Sequence, residues 1–222
     1  MKRLNVLLAL AGFISAGMLS SCEKEENSNL TISTRMSRVA ITPKQAAIPS
    51  LVFNSGYVVV REVVFDGETT DGRSISITEE KITTIDMITG VANPPFLMDI
   101  PAGTYTTVNL GIEIQDETER SSVVADGVFT NTLGVATPVR FEFNSGEVFE
   151  ANSDEPVTLS AATPATAKIT FDPHVWFSTI TEVQLNNATR TNGVIIVSET
   201  INTAIFSIVA DRLDDATDAE FR

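Results

Sequence analysis

"IPAGTYTTVNLGIEI", residues 100–114, decides the fold. Val108, Leu110, Ile112 and Ile114 alternate with Asn109, Gly111 and Glu113. Side chains on a strand point to opposite faces in turn, so this period of two places one apolar row on a buried face and one polar row on a wet face. The preceding Pro101-Ala102-Gly103 predicts a turn, with Gly103 supplying a positive φ.

Working outward, the same texture recurs. "NLTISTRM" (29–36), "GYVVVREVVF" (56–65), "RSISIT" (73–78), "PVRFEF" (138–143), "PVTLSA" (156–161) and "AKITF" (167–171) read as strands, with weaker signals at "KITTIDMI" (81–88) and "SVVADGVF" (122–129). "DGETTDG" (66–72) and two copies of "FNSG", at 53–56 and 143–146, predict turns between them. The repeated tetrapeptide has unlike flanks, so it marks reuse of a turn and not a duplicated half. Short strands without a βα rhythm predict a mainly β chain, an antiparallel β-sandwich of immunoglobulin or transthyretin type.

The last third departs from this pattern. Asp172 and Pro173 are suited to cap and start a helix carrying Val175, Trp176, Ile180 and Val183 on one stripe. From Ser198 to Leu213, Ile201, Ile205, Ile208 and Val209 recur at helical spacing, with Ser198 as the expected cap. One or two late helices are therefore expected on the sandwich.

The amino-terminal end concerns location. Lys2 and Arg3 precede an apolar run from Leu4 to Leu19, and Ser20 and Ser21 then lead to Cys22, the only cysteine. That order predicts a cleavable export signal over residues 1–21, because the run is shorter than the roughly 20 residues that span a bilayer. "LSSC" resembles the bacterial lipobox, which implies that Cys22 is the site of lipidation, its sulfur joined to diacylglycerol and its chain held to the membrane by several acyl groups such as palmitate. Residues 22–30 then form an acylated tether and 31–222 a single β-sandwich domain with its carboxy-terminal helix. Losing Lys2 and Arg3 takes the net charge from −14 to −16. Such an acidic surface repels phosphate backbones, so nucleic acid is not an expected partner.

The lipobox cysteine, "GYVVVREVVFDGE", "IPAGTYTTVNLGIEI", "ITFDPHVWF" and "VIIVSETIN" together resemble the uncharacterised β-sandwich lipoproteins of Bacteroidota, marked by a Pro-Ala-Gly-x-Tyr turn. Glu23, Lys24, Glu25 and Glu26 resemble the export signal that carries such lipoproteins to the outer face of the outer membrane. The resemblance implies fold and a lipid-anchored position facing the cell exterior. It implies no activity and no cofactor.

Chemistry-bearing residues are sparse. His174 is the only histidine, and with Cys22 acylated no second soft ligand accompanies it, which excludes the common zinc sets. No G-x-S-x-G elbow follows Cys22, and no phosphate-cradling glycine loop occurs. His174 accordingly reads as a packing residue in a helical first turn beside Trp176. Acidic residues gather at Asp66, Glu68 and Asp71, at Asp116, Glu117 and Glu119, and at Asp211, Asp214, Asp215, Asp218 and Glu220. They lack the calcium-loop pattern and read as solvated loops. Tyr57, Tyr105 and Trp176 are the only Tyr and Trp side chains on which a sugar could stack, and Tyr105 and Trp176 are expected partly in the core.

These features predict a non-enzymatic cell-surface or outer-membrane lipoprotein acting in adhesion or ligand binding. Its partners would be the membrane, through the lipid, and an extracellular protein or glycan. A fimbrial or assembly subunit is the alternative, and a hydrolase or the accessory of a carbohydrate-active enzyme is third.

Overall fold

The computed structural model describes residues 26–36, 50–153, 155–162, 165–213 and 217–221. The stretch expected as an export signal, Cys22 and most of the expected tether lie outside the described residues. Strand structure already begins at Asn27, within the stretch read as tether.

The described residues form a mainly β sandwich with three short helices late in the sequence. Its elements are β1 (Asn27–Met36), β2 (Ser50–Thr69), β3 (Ser74–Asp86), β4 (Ala92–Asn93), β5 (Leu97–Pro101), β6 (Gly103–Ile114), β7 (Val123–Thr130) and β8 (Ala136–Phe143). They continue as β9 (Val148–Asn152), β10 (Val157–Leu159), β11 (Ala165–Phe171), α1 (Pro173–Trp176), α2 (Glu182–Asn187), β12 (Arg190–Thr191), β13 (Val194–Val197), α3 (Thr203–Ala210) and β14 (Thr217–Phe221). The small sheet runs β14-β11-β1-β5, and the large one runs β10-β6-β2-β7-β8-β13-β12 with β3, β4 and β9 added at its sides. The sheets are mainly antiparallel as expected, with two exceptions: β1 pairs β11 and β8 pairs β13 in parallel.

β2 is the spine of the large sheet. Along one edge it pairs β3; along the other it pairs β7 through Ser50–Val58 and β6 through Val60–Thr69. The change of partner falls at Val59, whose N–H donates to Ser122 O and whose carbonyl accepts from Gln115 N. Next to it the register slips at Arg61, a bulge that bends the strand.

The alternating rows meet between the sheets. Leu30, Ile32, Ile100 and Phe171 of the small sheet pack with Val63, Phe65, Leu110 and Phe149 of the large one, all buried. Phe149 and Phe171 meet edge to face at 5.2 Å across the two layers. A fully buried side chain of this size contributes about 1.5–3 kcal/mol, and the row is what fixes the register.

Three expected turns come out differently. "DGETTDG" does turn, but only at Thr70–Gly72, where Gly72 has φ +83°; Asp66 and Glu68 lie on β2 itself. The first "FNSG" is no hairpin: it lies inside β2, the register slips at Asn54, and Gly56 is required because a Cβ there would sit 2.6 Å from Val124 O. Gly103 opens β6 without a positive φ, since Pro101–Gly103 is the corner where the chain passes from one sheet to the other.

The late helices are shorter than the apolar stripes suggested. α1 is capped by Asp172, which accepts from His174 N at 2.9 Å, with Pro173 in the first turn as expected. The stripe then breaks, because Thr181 and Gln184 form a reciprocal capping box that starts α2 afresh and leaves Val183 66% exposed. Asn202 and not Ser198 holds the N-cap position of α3, without a capping bond from its side chain; the Ser198 hydroxyl accepts from Ile201 N in the preceding turn. Ile205 and Val209 do share its buried face. No helix among the described residues is long and apolar enough to cross a membrane.

Candidate functional site

A cleft of about 180 Å³ lies where α1 and α2 meet the end of the large sheet. Leu51 of β2, Phe129 of β7, Phe177, Ile180 and Leu185 of α2 line it with apolar surface. His174, Ser178 and Glu182 supply its polar atoms. The walls come from strands and helices that need this core to exist: Phe53 lies edge-on to the His174 ring at 5.9 Å and tilted against Phe177 at 5.1 Å. His174 thus packs beside Phe53, while Trp176 turns inward against Phe141 and Phe171.

Hydrogen bonding ties α2 to the β7–β8 turn. Glu182 Oε1 accepts from Thr132 N at 2.8 Å and from Thr132 Oγ1 at 2.9 Å, and Asn131 Nδ2 donates to Asn186 Oδ1 at 3.2 Å. The backbone N–H of Thr132, above all, holds the Glu182 carboxyl below the usual range, with the Thr132 hydroxyl and Asn186 adding to it. A carboxylate so held is an acceptor at neutral pH and a poor proton donor. Leu133, next in the chain to Thr132, is 86% exposed on the same turn.

The other candidates are dispersed. Tyr105 and Trp176 are completely buried, deeper than expected, which leaves Tyr57 half-exposed with the Arg120 guanidinium 5.8 Å above its ring. Asp71 accepts from Thr69 Oγ1 and from Arg73 Nε. The Thr69 hydroxyl and the Arg73 charge keep its carboxyl below its ordinary value. Asp116 and Glu117 are within 4 Å of Arg61 Nη1, together with Glu113. Glu119 and Asp211 are exposed, Asp214 and Asp215 lie outside the described residues, and Asp218 and Glu220 fall on β14. Among the described residues no group of three or more His, Cys, Asp or Glu side chains is arranged to hold a metal ion.

One polar cluster was not foreseen. On the outward face of β7 and β8, Arg140 bonds Asp126 at 3.0 Å and Glu142 at 2.6 Å. Partial burial works against its charge, but the Glu142 hydrogen bond and the two carboxylates raise its pKa further above the ordinary value. The signal was the i, i+2 spacing of Arg140 and Glu142 on one strand face, which needs the partner strand's register to be read. The cleft-lining Leu51, Phe129, Phe177 and Leu185 carried no signal beyond apolarity.

No family model, curated protein or solved structure matches this chain.

Proposed function

We propose that this chain is a lipid-anchored, non-enzymatic binding module displayed on a bacterial outer membrane, holding an apolar group of an extracellular protein or glycan in the cleft beside His174. The observation that supports it is the make-up of that cleft: five apolar walls, a polar rim, and a carboxylate already committed to Thr132. Its size, about 180 Å³, suits one side chain or one sugar face and falls below the pockets of about 300–1,000 Å³ that enclose whole metabolites. Anchoring follows from the charged, apolar and small-residue order leading to Cys22.

Two measurements test the reading. Cys22→Ser should abolish labelling by a radioactive fatty acid and leave the precursor uncleaved; persistent labelling sinks the anchor. Glycan and peptide arrays probed with the full chain and with Leu185→Arg, which fills the cleft with charge, should show binding that the variant loses. Turnover of an ester or glycan substrate that disappears in His174→Ala would make the protein an enzyme instead.

A further inference from the structure

From the open edge of β3 we infer that the chain forms a two-fold dimer in which β3 pairs antiparallel with β3 of a second copy, centred on Ser76. Among the described residues β3 pairs β2 along one side, and on the other side β4 meets it only at Thr84 and Ile85. Lys81 and Thr83 are also met by the carbonyls of Pro95 and Pro94, so among the described residues the open stretch is Ser74 to Glu80, with Ser74, Ser76 and Thr78 exposed and Ile75 and Ile77 half-covered. An edge of this length without a partner is a template for strand addition.

The direction of the backbone groups fixes the register. Thr69 N donates to Arg73 O at 2.8 Å, so Arg73 belongs to a hydrogen-bonded pair with β2. Such pairs alternate along an antiparallel ladder. Ile75, opposite Gly67, and Ile77, opposite Phe65, then bond inward to β2. Ser74, Ser76 and Thr78 aim their N–H and C=O groups at the free edge. A two-fold axis through Ser76 sets Ser76 against Ser76 and Ser74 against Thr78, all with outward groups, which is the pairing that exchanges both hydrogen bonds.

Side chains in the same register complement one another. Ile75 falls opposite Ile77 and Arg73 opposite Glu79, both in the non-hydrogen-bonded pairs whose side chains stand closest. The sequence "RSISITE", residues 73–79, thus reads as its own partner: cation against anion, aliphatic against aliphatic, hydroxyl against hydroxyl. Arg73 already holds Asp71 at 3.0 Å, and a guanidinium with five donors can serve a second carboxylate. The ladder ends beyond Arg73 because the chain turns at Thr70–Gly72. A self-complementary patch closes on itself, so the product is a dimer and not a filament.

Sedimentation velocity of the full chain in detergent tests this at up to about 100 µM, a range chosen because so small a contact is weak. The wild type should show a reversible dimer. Ser76→Pro deletes an N–H that faces away from β2, so it should give a monomer with unchanged far-ultraviolet circular dichroism. R73E and E79R should each weaken the dimer by at least about tenfold through like charges across the axis. Mixing R73E with E79R restores opposite charges in both symmetry-related pairs and should restore the dimer, which loss of folding could not do. A monomeric wild type, a dimer that persists in Ser76→Pro, or a mixture that stays monomeric each overturns the inference.

Discussion

The Tyr105 hydroxyl donates to the Pro101 carbonyl at 2.7 Å, across the corner through which the chain leaves the small sheet and enters the large one. Pro101 ends β5 opposite Asn27 of β1, and Tyr105 lies in β6 with its ring edge-on to Phe65 at 5.3 Å. One side chain therefore fixes how the two layers are joined. Tyr105→Phe keeps the ring and loses the bond. The expected cost is about 1 kcal/mol, read as a fall of roughly 2–4 °C in Tm.

The glycines of this region separate two reasons for a glycine. A Cβ at Gly103 would meet nothing within 4 Å among the described residues, and its φ is not positive. Gly103→Ala should leave Tm within about 1 °C of the wild type or raise it by restricting the unfolded chain. At Gly56 a Cβ would lie 2.6 Å from Val124 O and 2.7 Å from Met87 Sδ. The carbonyl belongs to the ladder with β7 and cannot move without opening it. Gly56→Ala should therefore lower stability by about 1–3 kcal/mol in urea titration.

Much of the sandwich was legible because burial on one face imposes period two. "VNLGIEI" and "PVRFEF" fall on β6 and β8, and Asp172-Pro173 starts α1 as read. β5, β9, β13 and β14 were among the strands missed. "LMDIP" contains a proline that suggested only a turn, and "VIIV" is apolar on both sides, so neither displays alternation. The cleft was illegible for a different reason. Leu51, Phe129 and Leu185 are distant in sequence, and an apolar residue that lines a cleft looks the same in sequence as one that fills a core. Gly56 misled because close backbone approach and positive φ select the same residue type.

Asn202 replaces Ser198 as the organiser of the last helix. It sits in the left-handed region at φ +54°, and its amide accepts from Thr189 N at 2.8 Å while donating to Thr189 O and to Ile196 O. One side chain thus joins the start of α3 to β13 and to the end of α2. Asn202→Ala loses all three bonds and places a poorly tolerated residue at positive φ. It should cost about 2–4 kcal/mol, whereas Ser198→Ala should cost less than about 1 kcal/mol. Chemical denaturation of the two variants side by side checks the ranking.

Acid should act through carboxylates held by N–H and O–H donors. The Thr132 backbone N–H and hydroxyl, with Asn186, lower the pKa of Glu182 from 4.5. Donation from Thr89, backbone and hydroxyl, and from Ile88 N lowers that of Asp86 from 3.8. A carboxyl with a lowered folded pKa stabilises fully above its unfolded value, and that stability is lost as pH falls through the folded value. Urea midpoints should therefore be flat from neutral pH down to the unfolded range of these groups and then fall. The Glu182→Gln variant, which does not titrate, should show a shallower acid limb than the wild type. Parallel curves for the two proteins would remove Glu182 from this account.

Arg61 explains why the acidic turn after β6 is tolerated beside the partner switch of β2. Its Nη1 lies 3.4 Å from Glu113, 3.8 Å from Asp116 and 3.5 Å from Glu117. The bulge that leaves Arg61 outside the ladder register is thus placed where one cation faces three carboxylates. These groups are partly exposed, so the attraction is screened and individually modest. Reversal of the charge is a stronger perturbation than its removal, because Arg61→Glu crowds four carboxylates against the Val59 backbone bonds that hold Gln115 and Ser122. Arg61→Ala should cost less than about 1 kcal/mol at low salt, and Arg61→Glu about 1–2 kcal/mol. Raising sodium chloride to about 1 M, where the screening length is about 3 Å, should recover most of the difference between the two variants. If calcium rather than Arg61 were the natural counter-ion of this turn, millimolar calcium would raise the wild-type Tm; the arrangement around Arg61 predicts no shift beyond that given by an equal ionic strength of sodium chloride.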